Sequence, residues 1–162
     1  FEGLILRPFQ PSATFRNLSE TRRGVFHIID QVDIIARAVT GNLHEPPPAD
    51  PAVTIQGHVL RDCCRWLEFE VQSVDASSAR SVMPARILHV GEKRPFFGFN
   101  RARHAILEAA ILATRLHLLP ASEIAAALRF LGPAVEKTGG PAEQESWQLI
   151  VSYIRSRQEL PL

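Results

Sequence analysis

The spacing of apolar positions changes character near residue 100. Before it, short apolar runs and strict alternation predict strands; after it, three- and four-residue spacing predicts helices. Leu4, Ile5 and Leu6 predict a first strand, closed by Pro8 and Pro11, which cannot donate to a ladder. Residues 14–21 predict a short helix with Phe15 and Leu18 toward the core, Ser12 or Thr14 as N-cap and Gly24 as its stop. The β-branched and aromatic run at 25–29 (VFHII) predicts a well-buried strand. Asp30 then caps a second short helix whose stripe is Val32, Ile35, Ala36 and Val39, ended by Gly41-Asn42.

Residues 44–53 (HEPPPADPAV) carry four prolines and predict an exposed connection. The stretch 66–75 alternates, with Leu67, Phe69 and Val71 on one face and Glu68, Glu70 and Gln72 on a solvated one. A turn at Ser77-Ser78 joins it to a strand at 82–90, an antiparallel hairpin in which Pro84 marks an edge or a bulge. Residues 101–119 hold neither Gly nor Pro and predict a long Ala- and Leu-rich helix. Its two apolar arcs, a broad one through Ala102, Ala105, Ile106 and Ala109 and a narrower one of Leu107, Ile111 and Leu118, predict neighbours on two faces. Ser122 caps a further helix expected to stop at Gly132-Pro133. After a turn, Pro141 opens the last helix, with Trp147, Ile150, Val151 and Ile154 on one face. The fold class that follows is α+β, a β-rich part and then about three helices.

With 46% hydrophobic and 22% charged residues among 162, the chain is of ordinary globular composition. A formal net charge of +1 offers no general attraction to nucleic acid or anionic membrane, so neither is an expected partner. No apolar run of about 18 residues exists. Cys63 and Cys64 are adjacent, where bridging is strained, so free thiols in a reducing cytoplasm are expected. No second Cys pair or HxxxH spacing accompanies them, and no metal site is expected.

The first chemical candidate is the opening loop, RPFQPSATFRNL. Arg7, Ser12, Thr14 and the helix start that carries Asn17 bring a cation, two hydroxyls and free N–H groups together where a phosphate could sit. The same residues also suit a plain capped helix after a proline turn, and both readings stand at this point. The second candidate is RPFFGFNRAR at 94–103. Its three Phe, with Asn100, Arg101 and Arg103, can cover a planar ring and offer donors, or form an aromatic hinge with Asn100 as helix N-cap. Lys137, Thr138 and two glycines make a third donor-rich loop, equally explained as a helix C-cap. His104 and Glu108 lie one turn apart without a third ligand, so a hydrogen bond is expected rather than a metal. Walker-type and GxGxxG loops are absent, and no Ser/His/Asp set has a recognisable context, which sets triphosphatase and hydrolase chemistry aside.

SxTxxNL, between an apolar strand and GVFHIID, resembles the FMN-binding segment of flavin-reductase-like split barrels, relatives of the pyridoxamine-phosphate-oxidase barrel. More narrowly, RPFQPSATFRNL, DCCRWLEFEV, FNRARHAILEAAILATRLHLL and EKTGG, in that order, resemble a family of uncharacterised split-barrel proteins of archaea and some bacteria. The resemblance implies an antiparallel split β-barrel of the FMN-binding type over residues 1–98 and a helical subdomain over 99–162. It implies a homodimer with FMN near the subunit interface and the phosphate on Arg7, Ser12, Thr14 and Asn17, the last also able to reach the ribityl chain or ring edge. Asn100 and Arg101 are then also expected to bind the cofactor, and the 96–103 segment that holds them to shape the substrate side. The implied activity is FMN-dependent hydride transfer with a nicotinamide, a deazaflavin or a pterin; the alternative is a non-catalytic flavin-binding dimer acting as carrier or sensor. Such barrels usually open with a hairpin before the strand that begins this chain, and no residues for it stand ahead of Phe1.

Overall fold

A computed structural model describes residues 3–159, which form two compact units. Of the described residues, the first comprises 3–29 and 47–96, the second 30–46 and 97–159.

In the first unit, strands β1 (Gly3–Leu6), β2 (Arg23–Ile28), β5 (Arg65–Val71) and β6 (Met83–Glu92) make one antiparallel sheet in the order β1-β6-β5-β2, a half-barrel of the split-barrel type. The expected β5–β6 hairpin is its centre. Between Glu68↔His89 and Phe69↔Ile87, Leu88 has no opposite number, and this bulge increases the local twist. Helix α1 (Ala13–Thr21) sets Leu18 into a core with Phe69, Val71, Met83 and Ala85, joined by Leu4, Leu6 and Phe15. Strands β3 (Ala49–Pro51) and β4 (His58–Leu60) pair as a separate ribbon. The proline-rich segment thus holds a short strand that its composition concealed. In a two-stranded ribbon a proline costs little, because one edge is free of ladder bonds.

Several local expectations change. Helix α1 ends at Arg22, which adopts the left-handed conformation (φ 56°) and donates its N–H to Leu18 O, so Gly24 is not the stop. Gly24 lies inside β2 opposite Phe69, where a Cβ would come within 2.6 Å of the Phe69 ring. β2 is an edge strand with no fully buried residue, since nothing in the sheet covers its outer side. Pro84 sits in the interior strand β6 without a bulge. It faces Gln72, one residue past the end of β5, and accepts that residue's N–H at 2.9 Å. Glu68, placed on the wet face by alternation, is fully buried. Its carboxylate accepts the N–H groups of Val53, Thr54 and Ile55, the Thr54 hydroxyl and the Trp66 indole N–H. Burial pushes this carboxyl up, and the hydrogen bonds, led by the Thr54 hydroxyl, outweigh it and draw the pKa down to about 2.

In the second unit, α2 (Asp33–Thr40), α3 (Arg101–Ala113), α4 (Ala121–Thr138) and α5 (Pro141–Arg157) enclose a core of Ala102, Ile106, Ala109, Ile124, Ile150 and Ile154. The small alanines of α3 let neighbouring helices approach closely on its broad arc. On the narrow arc Leu107 and Leu118 are exposed. α3 stops six residues short of the expected end, where the Thr114 hydroxyl donates to Ile111 O and the chain enters turns. α4 instead continues through Gly132-Pro133 and ends at Gly139; Pro120, not Ser122, is its N-cap residue. An interior proline forfeits one backbone bond, and packing across α3 and α5 holds the helix through it. Asp30 does not cap α2. It is buried, accepts the Phe97 N–H at 2.9 Å and lies 3.7 Å from the Arg103 guanidinium. Arg103 in turn donates to Glu143, whose carboxylate also takes the Gly140 N–H at the start of α5. No helix among the described residues is long and apolar enough to cross a membrane.

Candidate functional site

The loop before α1 is braced before any ligand is considered. The Gln10 side-chain amide donates to Ala76 O and Ser78 O, the Ser81 hydroxyl donates to Pro8 O, and the Arg80 guanidinium lies over the Phe9 ring at 4.8 Å. Arg16 reaches back to Pro11 O at 2.8 Å. Sequence inspection missed these braces, because they pair the loop with a turn some 66 to 73 positions away. The loop therefore enters α1 in a defined geometry.

At that entry Ser12 is the N-cap: its Oγ accepts the Phe15 N–H at 3.1 Å and donates to Phe9 O at 2.6 Å. The N–H groups of Ala13 and Thr14 precede the first intrahelical bond and have no partner among the described residues. Arg7 is exposed and makes no ion pair among them, and Thr14 and Asn17 are exposed nearby on α1. Arg7, Ser12, Thr14 and Asn17 all line one concavity of about 620 Å³, within the range of about 300–1,000 Å³ usual for small-molecule sites. Gly24, Phe26 and Phe69 supply a second, apolar wall. These three were not singled out as site residues, since only the pairing of β2 with β5 sets Gly24 and Phe26 on one sheet face with Phe69. Positive charge, free helix-start donors and an aromatic wall in one concavity suit a ligand with an anionic end and a planar apolar end.

The model of the DUF447 N-terminal domain, a protein of unknown function, matches residues 1–94, and the DUF447 C-terminal model matches residues 100–152. The chain belongs to the DUF447 family. Among solved structures it is similar to an FMN-bound DUF447 protein of Methanosarcina mazei, with a TM-score of 0.79 and 21% identity over 92% of this chain and 80% of that one. The NADH:FAD oxidoreductase SgcE6 of Streptomyces globisporus aligns at TM-score 0.46 and 6% identity, over 55% of this chain and 57% of that one. The styrene monooxygenase flavin reductase of Pseudomonas putida aligns at 0.39 and 16%, over 57% and 60%. No curated protein matches the chain.

The other candidates of this DUF447 chain are held differently. Asn100 is the N-cap of α3, its Oδ1 accepting the Arg103 N–H at 3.0 Å, and Arg101 is exposed at the first helical position. Both stand in the second unit and are not among the residues that line the concavity. Arg103 lies over the Phe97 ring at 4.7 Å, and Phe99 meets His104 edge-on at 5.8 Å. Thr138, from the donor-rich loop, accepts the Ala102 N–H and donates to Ala134 O, so its hydroxyl is spent on joining α4 to α3. No group of metal-ligating side chains occurs among the described residues. Cys63 and Cys64 form no disulfide and are fully buried, and burial pushes the Cys63 thiol up, whereas a reactive cysteine needs an exposed setting. A larger groove of about 710 Å³ runs between α4 and α5, but its charges are mixed, Arg129 and Arg155 with Glu136 and Glu159.

Proposed function

We propose that the chain is an FMN-binding oxidoreductase whose cofactor phosphate sits against the start of α1. The observation that carries this reading is the concavity itself, which joins Arg7 and Thr14, whose guanidinium and N–H have no partner among the described residues, to the apolar wall of Gly24, Phe26 and Phe69. A phosphate dianion needs several donors and a cation in one small space. Arg7 and the hydroxyl and N–H of Thr14 supply them, while Ser12 shapes the helix start and Asn17 offers an amide to the ribityl chain. The FMN-bound relative of the same family supports the reading. FMN would bring hydride and electron transfer with it, so the protein's own task is to bind and orient the cofactor and to admit a soluble partner such as a nicotinamide, a deazaflavin or a pterin. A homodimer is part of this proposal.

The test is direct. The purified chain is examined for a flavin spectrum, titrated with FMN by fluorescence, and mixed anaerobically in turn with a reduced nicotinamide, a reduced deazaflavin and a reduced pterin. Tight FMN uptake followed by bleaching supports an oxidoreductase, uptake without bleaching by any of the three donor classes reduces the reading to a carrier, and a colourless chain that takes up no FMN refutes it. Sedimentation at micromolar concentration tests the dimer.

A further inference from the structure

Resting on the FMN reading, we propose that Phe26 is the residue that receives the planar ring of the ligand and fixes its orientation in the concavity. In β2, Phe26 stands directly opposite Leu67, and Gly24 opposite Phe69, so these four positions share one face of the sheet. On that face Leu67 and Phe69 are 3% and 4% exposed, yet Phe26 is 44% exposed. α1 covers Phe69 and Val71 through Leu18 and Phe15, and Phe26 is not part of that packed cluster. An aromatic ring left open on the core side of a sheet, inside a concavity, is a surface for another flat apolar group. Gly24, two positions away on the same face, carries no side chain, and the Phe69 ring occupies the space a Cβ would take, so the floor beside Phe26 is flat and apolar. The polar wall of Arg7, Thr14 and Asn17 takes the anionic end of the ligand, which leaves its ring for Phe26.

Titration of the full chain, freed of any co-purified flavin, with both FMN and riboflavin separates the two walls, because riboflavin has the ring without the phosphate. Phe26→Leu keeps the apolar volume and removes the π face. It should weaken FMN and riboflavin alike, by about 3- to 10-fold, and reduce the change in the flavin visible band on binding. Phe26→Trp should restore both. Arg7→Gln should weaken FMN and leave riboflavin unchanged. If Arg7→Gln behaves so while Phe26→Leu binds both flavins as the wild type does, the role of Phe26 is refuted and the FMN reading stands. Loss of binding in Phe26→Leu and Phe26→Trp alike also refutes it, since the residue would then serve the fold. A wild-type chain that binds neither flavin overturns both readings together.

Discussion

Replacing Glu68 with Gln keeps the shape of a fully buried side chain while changing its chemistry, and the consequence can be worked from the structure. The carboxylate accepts five hydrogen bonds between 2.6 and 3.2 Å, two on Oε1 from Val53 and Trp66 and three on Oε2 from Thr54, its hydroxyl and Ile55. An amide can keep at most one of these oxygens. Even with its NH2 on the less crowded side, two donors face a donor and the remaining three lose a charged acceptor. Hydrogen bonds to a charged group are each worth about 1.5–3 kcal/mol, so the substitution should cost about 3–5 kcal/mol. Protonation gives a second route to the same quantity. The drop from the ordinary 4.5 to about 2 corresponds to about 3 kcal/mol at about 1.4 kcal/mol per tenfold. Because the folded value lies below the unfolded one, this contribution is complete above about pH 4.5 and is lost as the pH falls toward 2. Guanidinium unfolding of wild type and Glu68→Gln at pH 7, 5, 4 and 3 measures both effects. The variant should be less stable at pH 7 and should show a shallower loss on acidification, as the group that titrates in this window is gone. A variant within about 1 kcal/mol of wild type at pH 7, with the same acid slope, would refute the reasoning.

Three further outcomes are expected. Ser12→Ala should destabilise the protein by about 1 kcal/mol through loss of the α1 cap, whereas Thr14→Ala should leave the melting temperature unchanged and weaken FMN by about tenfold; calorimetry and fluorescence titration separate the two. Gly24→Ala should cost about 1–3 kcal/mol, because the Phe69 ring must yield to the new methyl, and a matching fall in melting temperature checks it. Asp30→Asn removes the charge that faces Arg103 and should cost about 2 kcal/mol, read as an earlier thermal loss of the helical signal at 222 nm.

The opening stretch shows how much of the candidate site was legible. Ser12 is a strong N-cap type placed just before an apolar-periodic helix, and it caps as its chemistry dictates. Thr14 and Asn17 are close to it on the same helix, whereas Arg7 reaches that helix start through a loop braced by residues 76–81. The apolar wall was not legible, because Gly24 and Phe26 join it only through the pairing of β2 with β5. The same limit explains Gly24 itself, which reads as a helix stop in isolation and serves a ring from another strand in the fold. It explains Glu68 too. Alternation placed it on the far face from Leu67 correctly but could not show that residues 53–55 fold over that face and bring four of its five donors to it.

By itself the sequence determined the period of the longer strands and the helices, the cap at Asn100, Pro141 in the first turn of α5, and the β5–β6 hairpin, since each depends on residues near one another in the chain. Tertiary structure alone decided that α4 runs through Pro133, that Asp30 answers Arg103 rather than α2, and that Phe26 stands open beside a buried Phe69. Those outcomes turn on contacts between residues far apart in the chain. There, packing and partner supply outweigh local propensities of at most a few kcal/mol.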